Sequence, residues 1–228
     1  MDSKAKKFVE TLLDWYDVNG EKDLPWRSTK DPWKIFLAAF LLRKTTRKQV
    51  LKIFDKIVRL FPSPSDILKY DQKFIENLLK PLGLYRHRSK SLMEIARVLS
   101  IRFGGKFPSR PEELLRLKLK GVGPYIINEV LCGAFGIPVP MLDTNMIRVL
   151  VRVFGLVPLR KRPKDDPNLW NFARRIVELS DDCRKINYAI FDFATKICKP
   201  KNPECGKCPI KDICEYASKR LRSNRFTK

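Results

Sequence analysis

The sequence predicts an all-α protein of about ten helices. Apolar residues recur every three or four positions along most of the chain, as they do on the buried face of a helix. Proline and glycine interrupt these stretches at intervals that suit helices joined by short loops. No stretch alternates apolar and polar residues with a period of two for long enough to predict a sheet, and no internal repeat is found.

Five stretches carry the helical pattern most clearly. In chain order their apolar positions are Phe8, Leu12, Leu13 and Tyr16; Ile35, Ala39 and Leu42; Leu51, Phe54, Ile57 and Val58; Leu92, Ile95, Ala96 and Leu99; and Ile147, Leu150, Val151 and Phe154. The breaks between helices are expected at Pro25, Asp31-Pro32, Pro62 to Pro64, Gly83, Gly104-Gly105, Pro108 to Pro111, Gly121 to Pro124, Gly136 to Pro140, and Arg160 to Pro167.

A glycine hairpin, Gly121-Val122-Gly123, joins a helix that begins near Pro111 to a second helix opened by Pro124. Proline suits the first turn of a helix because its missing N–H would have had no partner there. The glycines let the backbone approach another surface, and the amides that begin the second helix can bind an anion. Lys120 precedes the hairpin, so phosphate binding is favoured over an ordinary packing corner.

Asp143 stands directly before an amphipathic helix, in the sequence Asp143-Thr144-Asn145. Aspartate is a preferred N-cap residue, and capping alone would explain its presence. Its position about twenty residues beyond the hairpin makes it a candidate for chemistry as well.

Four cysteines near the C-terminus have the spacing C-x6-C-x2-C-x5-C: Cys198, Cys205, Cys208 and Cys214. Four thiolates in one short loop can bind a single metal centre. A zinc ribbon usually has two short C-x2-C arms separated by a long spacer. Here all four cysteines fall within one stretch of 17 residues, with no long spacer. The spacing therefore favours an iron–sulfur cluster over zinc, and either one over disulfides.

The charge balance indicates the partner. The chain has 47 Lys and Arg against 25 Asp and Glu, a formal net charge of +22 at pH 7. Such an excess attracts polyanions, and nucleic acid is favoured over an acidic membrane surface. Neither a signal peptide nor a transmembrane run of about 18 apolar residues is found. We expect a monomer in the cytoplasm, associated with the nucleoid, with Cys132 and Cys183 as buried thiols.

The order of hairpin, carboxylate and cysteine loop resembles the iron–sulfur branch of the helix-hairpin-helix DNA glycosylase superfamily. This branch contains endonuclease III, the adenine mismatch glycosylase and the archaeal thymine mismatch glycosylase. The resemblance extends from Leu24 to Cys214. Its motifs are Leu24-Pro25-Trp26-Arg27, Asp31-Pro32-Trp33, Leu41-Leu42-Arg43-Lys44-Thr45-Thr46, Gly83-Leu84-Tyr85, Leu119-Lys120-Gly121-Val122-Gly123, Leu142-Asp143-Thr144-Asn145 and the four cysteines.

The resemblance implies two helical domains flanking a DNA-binding cleft, with the target base flipped into that cleft. A six-helix barrel is expected over residues 23 to 134, with the helix-hairpin-helix at 111 to 134. Residues 1 to 22 and 135 to 197 would form the second domain, followed by an iron–sulfur loop at 198 to 214 and a basic tail at 215 to 228. In this family the cysteines hold a [4Fe–4S] cluster.

The resemblance also implies roles for individual residues. Asp143 falls on the catalytic carboxylate, which stabilises positive charge at C1′ of the sugar or activates water, and Asn145 is a candidate for orienting it. Tyr125 stands where relatives that cleave the strand carry a Schiff-base lysine, so hydrolysis alone is expected. The residues implied to contact double-stranded DNA are Arg43, Lys44, Thr45, Lys120, Gly121, Val122 and Gly123.

One position departs from the family pattern. Ala39 stands where the adenine and thymine mismatch enzymes commonly carry a glutamate that contacts the flipped base. Adenine leaves poorly without protonation, whereas thymine and uracil can leave as anions. We therefore expect a glycosylase that removes thymine or uracil opposite guanine. The alternatives are a glycosylase for another modified base, adenine excision opposite 8-oxoguanine as the less favoured case, and a DNA-binding relative without catalysis.

Overall fold

The computed structural model describes residues 2 to 108, 110 and 112 to 223, together with the backbone alone for the last helical residues from 220 onward. All regular structure in this part of the chain is helical, which confirms the predicted fold class. The α-helices are α1 (Asp2–Asn19), α2 (Pro32–Leu41), α3 (Arg47–Leu60), α4 (Pro64–Ile67), α5 (Gln72–Leu79), α6 (Tyr85–Phe103), α7 (Glu113–Arg116), α8 (Pro124–Phe135), α9 (Thr144–Phe154), α10 (Pro167–Glu178), α11 (Cys183–Lys196) and α12 (Glu215–Ser223).

The chain divides into two compact units. The inserted unit is Asp23–Phe135, and the terminal unit combines Met1–Lys22 with Gly136–Lys228. Phe135, which we expected to begin the second domain, is the last residue of α8 and therefore belongs to the inserted unit. Both Cys132 in the inserted unit and Cys183 in the terminal unit are buried.

Helix α2 forms the centre of the inserted unit. Asp31 caps it by accepting hydrogen bonds from the N–H groups of Trp33 and Lys34, and Pro32 occupies its first turn. Eight of its ten residues are buried, so α2 is apolar on all sides, as a helix enclosed by others must be. It packs against α8 and α3, while α6 packs against α4 and α5. The unit thus has five helices of two turns or more, and α4 and α7 add one turn each in the described residues.

The helix before the hairpin is shorter than the sequence suggested. It was expected to run from Pro111 toward the hairpin, but α7 spans only Glu113–Arg116, and Pro111 itself lies outside the described residues. The chain leaves the helical conformation because Lys118 adopts a positive φ of 48°. Helix α8 begins at Pro124, as predicted.

Helix α11 forms the centre of the terminal unit, with α1, α9 and α10 packed against it. Phe193 of α11 is fully buried and meets the ring of Trp15 from α1 edge to face. Helix α12 packs on α9, so the expected basic tail begins as a helix; residues 224 to 228, including Arg225 and Lys228, lie outside the described residues. Within the residues that are described, no helix is both long enough and apolar enough to span a membrane.

Candidate functional site

Asp143 caps α9, and hydrogen bonds hold both of its carboxylate oxygens. Oδ1 accepts from the backbone N–H groups of Asn145 and Met146, each at 2.8 Å. Oδ2 accepts from the side-chain amide of Asn145 at 2.7 Å. The side chain and the backbone of Asn145 therefore both bond the carboxylate of Asp143.

The pKa of Asp143 lies above the ordinary value of 3.8, because burial disfavours the charged carboxylate. Three opposing influences are smaller: the bond from Met146, the bonds from Asn145, and the positive charge of Arg148. A carboxylate with little water around it interacts strongly with a positive charge that develops nearby. The local structure thus suits electrostatic catalysis as well as helix capping.

Arg148 links this carboxylate to the cysteine loop. Its Nη2 donates to Asn145 Oδ1 and to the carbonyl of Ala194, each at 3.0 Å. Its Nε donates to the carbonyl of Cys198, the first cysteine, at 2.8 Å. A continuous set of hydrogen bonds therefore runs from the loop through Arg148 and Asn145 to Asp143. The sequence did not single out Arg148, because nothing in its spacing distinguishes it from other arginines on amphipathic helices.

If Asp143 acts as an ionised carboxylate, we predict that the rate of the reaction it supports falls with acidification at a higher pH than an ordinary aspartate would give. Changing Arg148 to Met removes a positive charge that lowers the pKa of Asp143, so the acidic limb of the pH–rate profile should move to higher pH. Single-turnover rates measured from acidic to neutral pH show the shift. Arg174→Met on α10 is the control, and equal limbs in the two variants would contradict the prediction.

The same raised pKa affects stability with the opposite sign to the usual aspartate. Between the ordinary pKa and the raised one, the folded protein still holds a proton that the unfolded chain has released. The contribution of Asp143 to the free energy of unfolding therefore falls as pH rises through this window.

The four cysteines line a single pocket in the terminal unit, together with apolar side chains such as Phe193, Ile197 and Ile210. Burial raises the pKa of the Cys208 thiol to about 12 and also raises that of Cys214. Binding to iron would displace these protons. Among the described residues, no three His, Cys, Asp or Glu side chains converge on a point that could hold one metal ion. Thiols placed around a pocket suit a cluster, whose iron atoms separate the sulfur ligands.

Arg152 fastens the first part of this loop. Its guanidinium donates to the carbonyls of Lys199 at 2.7 Å and Pro200 at 2.9 Å. It also lies 4.7 Å from the ring centre of Tyr216, over the ring face.

The hairpin of the inserted unit is closely packed against the end of α2. Gly121 has a φ of +93°, and a side chain there would meet Arg43 Nη1 at 2.5 Å and the ring of Phe40 at 3.1 Å. Arg43 Nη1 donates to the Gly121 carbonyl at 3.2 Å. Nothing lies within 4 Å of the corresponding position at Gly123. The first glycine is required by packing, and the second leaves the beginning of α8 open to a ligand.

Several positively charged side chains line an open pocket beside the hairpin. It is lined by Arg43, Lys44, His87, Arg88 and Lys120, along with the exposed Leu84. Thr45 lies just behind, with its hydroxyl bonded to the Arg43 carbonyl at 3.0 Å. The residues that resemblance assigned to DNA binding in two separate segments are therefore neighbours in the inserted unit. Leu84 and His87 were not assigned a role from sequence.

Tyr125, partly exposed, is the second residue of α8 and belongs to the inserted unit, whereas Asp143 belongs to the terminal unit. Glu129 follows Tyr125 by one helical turn and is only 3% exposed. It is the one buried acidic residue that the structure describes between positions 23 and 135.

Ala39 is fully buried in α2, on the side that faces α8. Ile35 meets Gly133 across this helix pair, and Ala39 and Glu129 each lie about one turn further along their own helix. The pair therefore contains an acidic side chain although position 39 has none. Glu129 does not stand out in the sequence, because a single glutamate in an apolar helix has no distinctive spacing.

The fold, the site around Asp143 and the cysteine pocket together define one class of protein. Residues 37–189 match the HhH-GPD superfamily base excision DNA repair protein model, and residues 198–214 match the iron–sulfur binding domain of endonuclease III. The chain belongs to the HhH-GPD superfamily and carries a [4Fe–4S] cluster, which the four cysteines of the matched segment would hold. The cluster expected from the sequence is thereby confirmed.

Individual relatives with high identity to the chain are thymine or thymine/uracil glycosylases. The chain is 47% identical to a thymine-DNA glycosylase from Aeropyrum pernix over 206 residues, which cover 90% of this chain and 92% of the relative. It is 42% identical to a thymine/uracil-DNA glycosylase from Pyrobaculum aerophilum, covering 95% and 94% of the two chains. A solved thermostable thymine-DNA glycosylase superposes with a TM-score of 0.88 at 36% identity, covering 96% of this chain and 98% of that one.

Proposed function

We propose that this protein is a base excision DNA glycosylase that removes thymine or uracil mispaired with guanine by hydrolysis, without cleaving the strand. The observation that carries the proposal is the similarity to thymine and thymine/uracil glycosylases at 36% to 47% identity over nearly the whole chain. The basic pocket and the open beginning of α8 support duplex DNA as the partner. Such an enzyme would act as a monomer on chromosomal DNA in the cytoplasm.

The chemistry follows from Asp143. As the bond between C1′ and the base breaks, its electrons pass to the base and positive charge develops on the sugar. The oriented carboxylate stabilises this charge, and water then adds at C1′ and loses a proton. Asn145 and the two backbone N–H groups hold the carboxylate in place, so it needs little rearrangement as the charge develops.

An excision screen tests the proposed substrate. Duplexes containing T, U, A, 8-oxoguanine or a methylated cytosine opposite each normal base are incubated with the protein and then treated with alkali. Release of T and U opposite G, well above the other pairs, is the expected result. Preferred release of adenine opposite 8-oxoguanine would refute the proposed substrate, and binding without any release would favour the DNA-binding relative.

We predict that the reaction stops at the abasic site. Strand breaks should appear only after alkali or heat, and borohydride should trap no covalent adduct, because the phenol of Tyr125 has no amine with which to form an imine. Changing Tyr125 to Lys should produce a trapped adduct on a T opposite G duplex, detected as a protein band shifted by the DNA. Tyr125→Phe is the matched control and should give none. Efficient trapping by the unmodified protein would show that another amine performs lyase chemistry.

A further inference from the structure

Two loops that line the basic pocket each hold an exposed, non-glycine residue in the left-handed conformation. Lys44, after α2, has a φ of 52°, and Leu84, before α6, has a φ of 51°. Residues other than glycine rarely adopt this backbone conformation, and they keep it only where the surrounding structure imposes it. Both residues line the basic pocket, and Leu84 is 54% exposed. Something in the fold must therefore hold these two loops in place.

Arg88 is bonded to both loops at once. It lies on the first turns of α6 and is 5% exposed. On the Leu84 side, its Nε donates to the carbonyl of Gly83 at 3.1 Å, and its own backbone N–H donates to the carbonyl of Leu84 at 3.0 Å.

On the Lys44 side, the two Nη atoms of Arg88 bond the end of α2 and the loop after it. Nη1 donates to the carbonyls of Phe40 at 3.1 Å and Leu41 at 3.3 Å. Nη2 donates to the carbonyl of Arg43 and, at 2.6 Å, to the hydroxyl of Thr45. The acceptor residues lie both before and after Lys44 in the sequence.

The arrangement is unusual for an arginine that serves stability alone. All of these acceptors are uncharged, and Arg43 adds a second positive charge nearby. Burial, with a smaller contribution from Arg43, lowers the pKa of Arg88 below its ordinary value. A buried cation without a bonded carboxylate is costly, whereas its planar fork is well suited to fixing several carbonyls in one geometry.

We propose that Arg88 is a positioning residue for opening the duplex: it fixes Lys44 and Leu84 side by side so that both enter the DNA where the target base leaves the stack. This role rests on the proposed function. Exposed apolar side chains that penetrate between bases are a common means of unstacking DNA, and extruding a base is a required step for any enzyme that must reach C1′ of a paired nucleotide. Lys44 would supply positive charge at the same point.

Fluorescence of 2-aminopurine placed beside a T opposite G mismatch tests the proposal, because it reports unstacking whether or not the base is then released. Arg88→Lys should reduce the fluorescence rise on binding by about fivefold or more. The Kd for the duplex should stay within about threefold, since phosphate contacts supply most of the affinity. Arg86→Lys, exposed on the same helix, is the control and should behave as the parent protein. An unchanged rise in Arg88→Lys would overturn the proposal.

A double variant separates positioning from a merely structural role. If Arg88 acts partly through Leu84, then Leu84→Ala alone should reduce the fluorescence rise, and combining it with Arg88→Lys should reduce the rise no further than Arg88→Lys does alone. Additive losses would overturn the proposal. Should Arg88→Lys fail to fold, Thr45→Val removes one of the hydrogen bonds and should give a partial loss; an unchanged rise in that variant would also overturn it.

The same substrate distinguishes the two proposals. A normal fluorescence response in the parent protein without release of thymine or uracil would refute the proposed function and still support the role of Arg88. Normal release of thymine by the parent protein, together with an unchanged fluorescence rise in Arg88→Lys, would refute the role of Arg88 alone.

Discussion

Replacing Asp143 with Asn lowers the single-turnover rate of base release by at least about 10²- to 10³-fold, the loss expected when a preorganised group that stabilises transition-state charge is removed. The amide has the same shape as the carboxylate but carries no negative charge to balance the sugar. DNA affinity should remain, because the basic pocket lies in the other unit. Quenched-flow or manual single-turnover assays on T opposite G and U opposite G duplexes measure the effect.

Stability provides the control for this prediction. Asn caps helices about as well as Asp and carries no buried charge, so at neutral pH the free energy of unfolding should not fall by more than about 1 kcal/mol, the worth of the lost bond from Asn145. Asp182 caps α11 in the same unit by accepting from the N–H of Lys185, and Asp182→Asn should leave the rate unchanged. Full activity in Asp143→Asn would show that Asp143 is a helix cap and nothing more.

The second large effect is expected at the cysteine loop. The purified protein should be brown, with broad absorption near 400 nm and about four irons per chain, as a four-thiolate cubane implies. Cys205→Ala should lose the iron and destabilise the terminal unit by more than about 4 kcal/mol, as loss of a structural metal centre does. The loop also presents Lys199, Lys201, Lys207 and Lys211, so DNA affinity should fall with it. Iron analysis, thermal unfolding and binding to a mismatched duplex measure the three consequences.

Cys183→Ala is the matched control for Cys205→Ala. Cys183 is buried in the same unit, and its thiol donates to the carbonyl of Ile137 at 3.5 Å. Its removal should cost little stability and leave the iron content unchanged. A colourless, folded and active Cys205→Ala protein would show that the cluster is not required for the fold.

The sequence was sufficient for the fold class because apolar periodicity reflects burial directly. The caps and the proline at Pro124 also predicted the beginnings of α8 and α9 correctly, since these are local properties. The predicted length of the helix before the hairpin was wrong, because Lys118 adopts a positive φ. Lysine has no preference for that conformation, so the sequence does not indicate it.

The candidate site was only partly predictable for a related reason. Asp143, Asn145 and the cysteines have a recognisable order along the chain. Arg88 and Arg148 act instead by donating to backbone carbonyls of residues distant in sequence. A carbonyl is available at every position, so the partner of such an arginine leaves no trace in the residue pattern.

The arginines of α9 also determine how the protein can be handled. Arg148 and Arg152 bond the carbonyls of Ala194, Cys198, Lys199 and Pro200, so they attach the cysteine loop through short contacts between a charge and a dipole. Dissolved ions chiefly weaken interactions longer than the Debye length, about 8 Å at 0.15 M ionic strength, and leave short, partly buried contacts nearly intact. Concentrated sodium chloride should therefore elute nucleic acid from a column-bound preparation and leave its brown colour unchanged.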